Sequence, residues 1–499
     1  MGVRHMMTFL KSTVQRTRRL KGGTNDAGQP TSTIVYDALG SLERYFNQGC
    51  YVWDFDRMRQ AVLKDVNAFR AAGFNLLVVL DGGVDPRKFK TWFRRREDDL
   101  AHLRILNDYL ISPDRHMERH GPLDDEIWAP PPGKAQYLGQ AFRHAGCEVR
   151  CAVHDADPEI AWLAKSLNAY GVMTCDTDFV LFPGVQTYLD SRTLKIGKNS
   201  EISVEAVSKS ELCKQLRISQ EDLPAVAGIL GNDIIEGSYR DIKKLMRKWE
   251  VNSMVAGAAM EVANMHPAKW PWKWEEAKQY YALKKSKLAD VTNPKGHVLL
   301  KEKMYVRGVA MERLGDSVST HEVLAPLCRA VYSRNGVGSV KEHLCVPSMD
   351  ANAWRAGWTV RISQTDPKAP EPPSDPKKLA IMVCQYLRHV KAISDFHFCA
   401  LVAQVADRDM LKERMQETAA SPPDIPRLDD LHACNLYLNA IEVFWMGADG
   451  NEPCCWDIFD GVLYHTLCQT DLGKGLHERA DWKKMSCDWN KICVKPLFR

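Results

Sequence analysis

Leu76-Leu77-Val78-Val79-Leu80-Asp81-Gly82-Gly83 decides how the fold is read. An unbroken apolar run of strand length, closed by an aspartate and two glycines, describes a strand covered on both faces with an acid at its carboxyl end. Three other segments share this form: Thr33 to Tyr36 runs into Asp37, Glu148 to Val153 into Asp155-Ala156-Asp157, and Val172 to Cys175 into Asp176-Thr177-Asp178. Between them lie stretches at helical spacing, such as Ile160, Leu163, Ala164 and Leu167. Such alternation implies the α/β class, a parallel sheet covered by helices. Ligands of these sheets bind outside the carboxyl ends of the strands, which is where Asp37, Asp81, Asp155 and Asp176 fall. A fifth acidic segment, Leu230-Gly231-Asn232-Asp233, follows a mostly helical stretch.

A single aspartate at a strand end ordinarily caps a helix or closes a turn. The pairs Asp155/Asp157 and Asp176/Asp178 differ, because i,i+2 carboxylates on extended backbone point to one side and repel. A pair facing one pocket needs a cation. Mg²⁺ or Mn²⁺ takes such oxygen ligands, and two ions about 4 Å apart can activate water and stabilise the leaving oxygen of a phosphodiester. Shortly after Asp81 comes a basic run, Arg87, Lys88, Lys90, Arg94, Arg95 and Arg96, interleaved with Phe89, Trp92 and Phe93. Cations with aromatics hold a phosphate chain and stack on unpaired bases, so Arg87, Lys88, Lys90, Trp92, Arg94, Arg95 and Arg96 are the candidate nucleic-acid contacts. At helical spacing Lys88 and Arg95 fall two turns apart on one side. The plainer reading of the run is a solvated basic helix whose aromatics are core, with Glu97, Asp98 and Asp99 partly cancelling its field.

With 499 residues the chain is long enough for two or three cores, and 45% apolar against 26% charged residues describes a globular protein. A net charge of +4 makes any nucleic-acid surface a local patch. No apolar run reaches membrane-spanning length and the first residues lack a signal-peptide core, so no membrane is expected and the nucleus or cytosol is. The 15 cysteines include no Cys-x-x-Cys pair and are expected as reduced thiols, with Cys434, Cys487 and Cys493 the one cluster suited to zinc. Ile242, Leu245, Met246 and Trp249 form an apolar stripe opposite Arg240, Lys243, Lys244, Arg247 and Lys248. Trp270, Trp272 and Trp274 around Pro271 are expected to pack on the first domain. The expected organisation is a first domain over 1–250, a helical connection over 251–320, and a mainly helical domain over 321–499 with a Pro-rich linker at 364–378. Leu379 to Val405 and Leu428 to Phe444 are its expected helices.

Taken in order, Met1-Gly2-Val3-Arg4, Asp37-Ala38, Asp81-Gly82, Asp155-Ala156-Asp157, Asp176-Thr177-Asp178 and Gly231-Asn232-Asp233 resemble the flap endonuclease and XPG superfamily with its PIN-like fold. The resemblance makes Asp37, Asp81, Asp155, Asp157, Asp176, Asp178 and Asp233 two-metal ligands. It makes Lys88 and Arg95 the basic residues that polarise the scissile phosphate. Flap endonucleases carry glutamates where Asp155 and Asp157 stand, and a Gly-rich helix-hairpin where this chain has Glu236-Gly237-Ser238-Tyr239-Arg240-Asp241. Leu223-Pro224, Gly231-Asn232-Asp233-Ile234-Ile235 and the late Trp456-Asp457-Ile458-Phe459-Asp460-Gly461-Val462-Leu463-Tyr464-His465 resemble, within that superfamily, the asteroid-related constitutive coactivators of PPAR-gamma. The resemblance implies a nucleic-acid-binding protein, for RNA or a single-stranded or structured substrate, with a retained Mg²⁺ or Mn²⁺ site. A coactivator or scaffold with a vestigial site, binding protein partners through its C-terminal domain, is the alternative. An active structure-specific endonuclease is the second.

Overall fold

The computed structural model describes residues 2–46, 53–121, 131–232, 234–235, 239–250, 253–283, 304–307, 320–350, 353–364, 375–421, 426–445 and 455–473. The chain divides into two compact units. One comprises Met1–Arg44, Ala61–Thr91 and Ala141–Asp290, the other Tyr45–Gln60, Trp92–Gln140 and Val291–Arg499.

The first unit is built on a sheet of β1 (Arg16–Leu20), β2 (Ser32–Asp37), β3 (Phe74–Leu80), β4 (Glu148–Cys151), β5 (Gly171–Thr174), β6 (Thr187–Asp190), β7 (Lys195–Ile196) and β8 (Ile202–Ser208). Its order is β1-β8-β6-β5-β2-β3-β4, with β7 on β8. The centre is parallel: Val35 of β2 stands between Leu77 of β3 and Val172 of β5, and β4 and β6 extend the parallel part on either side. The apolar runs of β2, β3 and β5 are buried on both faces, which their continuity reflects, whereas β4 ends the sheet as Glu-Val-Arg-Cys with only Cys151 buried. The outer part departs from a wholly parallel sheet, since β8 pairs antiparallel with β6, β7 and β1. β1 is Arg-Thr-Arg-Arg-Leu, mostly exposed, and an edge strand of that composition leaves no hydrophobic pattern to read.

Helices close both faces. Asp157–Ser166 lays Ile160, Ala161, Leu163 and Ala164 into the core, and every residue of Ala225–Leu230 is buried. Each fully buried Ile or Leu side chain contributes roughly 1.5–3 kcal/mol relative to exposure. Trp270 and Trp274 join the same core with their rings 6.0 Å apart, edge to face. Between them Pro271 starts the helix Trp272–Tyr281, which turns Trp272 outward to 68% exposure. The irregular tryptophan spacing is therefore a helix start with one aromatic before it and one inside it. On Tyr239–Lys248, Leu245 is buried and Lys243, Lys244, Arg247 and Lys248 are exposed, but Met246 is 61% exposed and leaves the apolar stripe. Lys244 reaches Glu261 at 3.0 Å. Glu236, Gly237 and Ser238 lie outside the described residues.

The second unit carries the helices Thr320–Arg334, Pro376–His389, Asp395–Ala406, Leu428–Trp445 and Gly461–Gln469. Leu379 to Val405 is thus two helices. Lys391 takes the left-handed conformation at φ 57°, and Ser394 caps the second helix by accepting the His397 N–H. A small sheet was not legible: β10 (Ser339–Asp350) and β11 (Ala353–Gln364) form a long antiparallel hairpin, with β9 (Met304–Arg307) parallel to β10. Pro347 and the charged residues of β10 interrupt the alternation by which a strand is recognised. Asp375 caps the helix that ends the Pro-rich segment, while 365–374 lie outside the described residues, as do Cys487 and Cys493. Cys434 is a buried thiol.

Lys209 of the first unit is almost wholly buried, and its ammonium donates to the Phe182 carbonyl. Burial pushes its pKa down from 10.5 to about 7. Because the folded pKa lies below the unfolded one, the unfolded chain binds more protons across that window, and this group's penalty is largest at pH 7 and below. Lys209→Met is expected to stabilise the protein at pH 7 by on the order of 3 kcal/mol. Its advantage in denaturant titrations closes as pH rises from 7 to 10.5; an advantage independent of pH refutes the assignment.

Candidate functional site

The neighbouring strands β5, β2, β3 and β4 end side by side, and the acids follow their ends in the same order. Asp37 closes β2 and is buried, its Oδ1 accepting the Gly40 N–H at 3.0 Å and its Oδ2 the Thr174 hydroxyl at 2.7 Å. Burial, then the charge of Asp81, pushes its pKa up to about 7, with Asp157 adding to the effect. Asp81 Oδ1 accepts the Ala156 N–H at 2.8 Å, tying the end of β3 to the loop after β4. Gly82 and Gly83 donate to the carbonyls of His154 and Val153 at 2.7 and 2.9 Å. A Cβ on Gly82 would lie 2.1 Å from the Ala152 carbonyl, so only glycine permits this approach.

Asp155 and Asp157 meet one ammonium. Lys88 Nζ lies 2.6 Å from Asp155 Oδ2 and 2.9 Å from Asp157 Oδ2, with all three side chains largely shielded. Burial alone would lower the lysine pKa, but Asp157 and Asp155 outweigh it and hold Lys88 charged. The carboxyl of Asp155 is nonetheless raised well above its ordinary value, by burial first and then by Asp157. The pair is not on extended backbone as the spacing suggested, because Asp157 opens the helix Asp157–Ser166. It converges because a loop and a helix start both turn toward Lys88.

Asp176 and Asp178 also sit on a turn. Asp176 caps the short helical turn Thr177–Val180, its Oδ1 accepting the Asp178 N–H at 3.0 Å. The Thr174 hydroxyl that donates to Asp37 also accepts the Asp176 N–H at 3.0 Å, so one side chain joins two acidic segments. Asp178 Oδ2 accepts the Tyr281 hydroxyl at 2.8 Å and the Asn232 amide at 3.4 Å, and Asn232 also donates to the Tyr281 hydroxyl at 2.8 Å. Tyr280 donates to Asp155 Oδ2 at 3.4 Å, and the Arg87 guanidinium lies 5.6 Å from the centre of its ring. Burial raises the pKa of Tyr280, with Asp155, Asp157, Asp178 and Asp176 adding to the rise, which keeps its hydroxyl a donor. Burial, Asp37 and Asp176 likewise push Cys175 up to about 12.

Six of the seven expected acids therefore share one rim: Asp37, Asp81, Asp155, Asp157, Asp176 and Asp178. Asp233 lies outside the described residues. Among the basic candidates Lys88 faces the acids rather than the solvent. Arg87 is held by Asp85 at 2.7 Å. Lys90 and Arg94 are exposed, Arg95 is half-buried, and Trp92 packs edge to face on Phe93 at 5.7 Å. Arg96 belongs to the same helix, Phe89–Ile111. Thr174, Tyr280 and Tyr281 carried no sequence signal of their own, since the tyrosines stand 125 and 103 residues from their carboxylates. The donor set is all carboxylate oxygen, the chemistry that hard divalent cations take. Its placement does not fit one: among the described residues no three Asp, Glu, His or Cys side chains are grouped to hold an ion.

A parallel sheet with acids at its carboxyl rim is the arrangement of PIN-like nucleases, and the XPG I-region profile matches residues 146–233, which span Asp155 to Asp233. The chain thus carries an XPG I-region and is similar in sequence to the constitutive coactivators of PPAR-gamma. It is 29% identical over 224 residues to the human constitutive coactivator of peroxisome proliferator-activated receptor gamma, a match covering 43% of this chain and 23% of that protein. To the mouse constitutive coactivator of PPAR-gamma-like protein 2 it is 21% identical over 215 residues, 41% of this chain and 19% of that protein. The matched region thus spans less than a quarter of either relative. Among solved structures, the catalytic core of Rad2 in complex with DNA substrate aligns over 59% of this chain and 88% of its own, at 14% identity and a TM-score of 0.35. Flap endonuclease-1 from Methanococcus jannaschii aligns over 59% and 92%, at 15% identity and a TM-score of 0.34.

Gly2 packs against this rim at φ +92°, and a Cβ there would stand 2.4 Å from Thr177 Oγ1 and 2.5 Å from Asp176 Oδ1. Gly28 has φ +73° with open space around it. Gly28→Ala is expected to lose about 1 kcal/mol from conformation alone. Gly2→Ala is expected to lose about 2–4 kcal/mol, because overlap adds to strain. Equal melting temperatures for the two variants would show that the rim yields to Gly2.

Proposed function

We propose that the protein binds single-stranded or structured nucleic acid, RNA foremost, through the basic run that follows Asp81. The observation that carries this is Lys88 itself, seated between Asp155 and Asp157 at the head of a helix bearing exposed Lys90 and Arg94. An uncompensated rim of carboxylates would repel a phosphodiester chain. One ammonium between the closest pair reduces that repulsion, and the exposed cations supply the attraction. The XPG I-region match supports a nucleic-acid-related role. The relatives' designation as coactivators supports protein partners as well, for which the helices of the second unit are the proposed seat. A second reading is metal-dependent phosphodiester hydrolysis, with Asp37, Asp81, Asp155, Asp157, Asp176, Asp178 and Asp233 as Mg²⁺ or Mn²⁺ ligands and Lys88 and Arg95 on the phosphate; it requires the carboxylates to regroup, since among the described residues no three are placed around one ion.

Fluorescence anisotropy in EDTA with labelled single-stranded RNA and DNA tests the first reading. Lys90→Ala, Arg94→Ala and Arg95→Ala combined are expected to weaken binding at least tenfold. The slope of log affinity against log salt falls by roughly 0.7 for each phosphate that the variant no longer neutralises. No binding by the unaltered chain at low salt removes the proposal. For the second reading, cleavage of a labelled strand in Mn²⁺ that Asp176→Asn with Asp178→Asn abolishes, at unchanged melting temperature, establishes hydrolysis; an intact strand under all these conditions rejects it.

A further inference from the structure

We propose that Trp272 is a stacking platform for an unpaired base of a nucleic-acid strand, with Lys269 and Lys273 beside it for the flanking phosphates. The proposal rests on the nucleic-acid reading and adds to it a contact, outside the basic run, that is made to the face of a base.

Among the described tryptophans Trp272 alone is exposed. The backbone that carries it is held from several sides. Trp270 and Trp274, before and after it in sequence, are both in the core, and Trp270 Nε1 donates to the Met265 carbonyl at 2.9 Å. Pro271 enters the helix Trp272–Tyr281 in extended conformation, at φ −60° and ψ 147°. On the helix Ala225–Leu230, a Cβ at Gly228 would stand 2.7 Å from the Lys273 carbonyl and 2.8 Å from Trp274 Cα, so the two backbones meet there. Two buried aromatics, a proline and a close helix contact thus fix the start of this helix, and the indole projects into solvent from a rigid base. A tryptophan left in water keeps a large apolar face without a partner, and it loses little freedom when that face is covered.

The neighbouring charges select the occupant. Lys273 Nζ lies 5.7 Å from the centre of the Trp272 ring, in cation–π contact. Lys269 is exposed and ends the turn Pro267–Lys269, three residues before the indole. An apolar peptide side chain would be served by the indole alone, whereas an aromatic with a cation on either side in sequence matches a base and its phosphates. Glu275 and Glu276 follow on the same helix and largely offset the two lysines. Selectivity therefore lies with the ring. An unpaired base offers it a free π-face, while the bases of a duplex are already stacked on one another.

Fluorescence anisotropy of the full chain with a short labelled single-stranded RNA, and with the same strand made abasic, tests the platform. Trp272→Ala is expected to weaken binding of the base-bearing strand by about fivefold or more, the weight of one stacked base, and Trp272→Phe to keep it within about twofold. The slope of log affinity against log salt stays as in the unaltered chain, because no phosphate contact is removed, and the abasic strand binds both proteins equally. Equal affinity of Trp272→Ala and the unaltered chain for the base-bearing strand overturns the platform, and so does a loss that the abasic strand shares. The combined Lys90→Ala, Arg94→Ala and Arg95→Ala variant keeps the two proposals apart. Binding lost there but intact in Trp272→Ala leaves the basic run as the seat and removes the platform; the reverse pattern keeps the platform and removes the basic run. No binding by the unaltered chain removes both.

Discussion

Like charges brought together at the carboxyl ends of adjacent strands have to be compensated, and the rest of the first unit follows from how this is done. The strand order sets the problem, because apolar pairing of β5, β2, β3 and β4 leaves no freedom to place Asp176, Asp37, Asp81 and Asp155 elsewhere. The chain answers with one ammonium, several backbone N–H groups, a threonine hydroxyl, an amide and two tyrosine hydroxyls. Few of these groups lie near the acids in sequence. A carboxylate cluster satisfied chiefly by hydrogen bonds and one lysine is stable as a fold whether or not it takes part in chemistry.

Much of the core sheet was legible, and the reason is specific. Strands buried on both faces are written as continuous apolar runs, so β2, β3 and β5 could be placed to within a residue or two from Ile34, Leu77 and Val172 and their neighbours. The antiparallel rim β1-β8 was not, because Arg16 to Arg19 face solvent and take their conformation from pairing with β8. The hairpin β10-β11 was missed for a similar reason. In the site, the identity of the acids was readable but their backbone was not. Asp176 does what a lone aspartate after a strand ordinarily does and caps a turn, and it approaches its partner all the same. The tyrosines escaped notice because no local pattern joins residues more than a hundred positions apart.

Beside the acids, the groups of most consequence in the rim are neutral or basic: Lys88 between two carboxylates, and Thr174, Asn232 and Tyr281 around the rest. Lys88 spans the space between Asp155 and Asp157. Substitutions outside the acidic set can therefore retune the site while every acid remains in place.

Tyr280 and Tyr281 end a helix that docks on the core long after, in sequence, the strands bearing the acids. Contacts of such separation form slowly, since the chain must close a long loop before they reward it. During synthesis, the sheet can pair once Ser208 has emerged, yet Asp178 gains its tyrosine only after Tyr281 has left the ribosome. For that interval the rim has Lys88 in place but lacks the hydroxyls that hold Asp155 and Asp178, which makes the helix Trp272–Tyr281 the element that completes it.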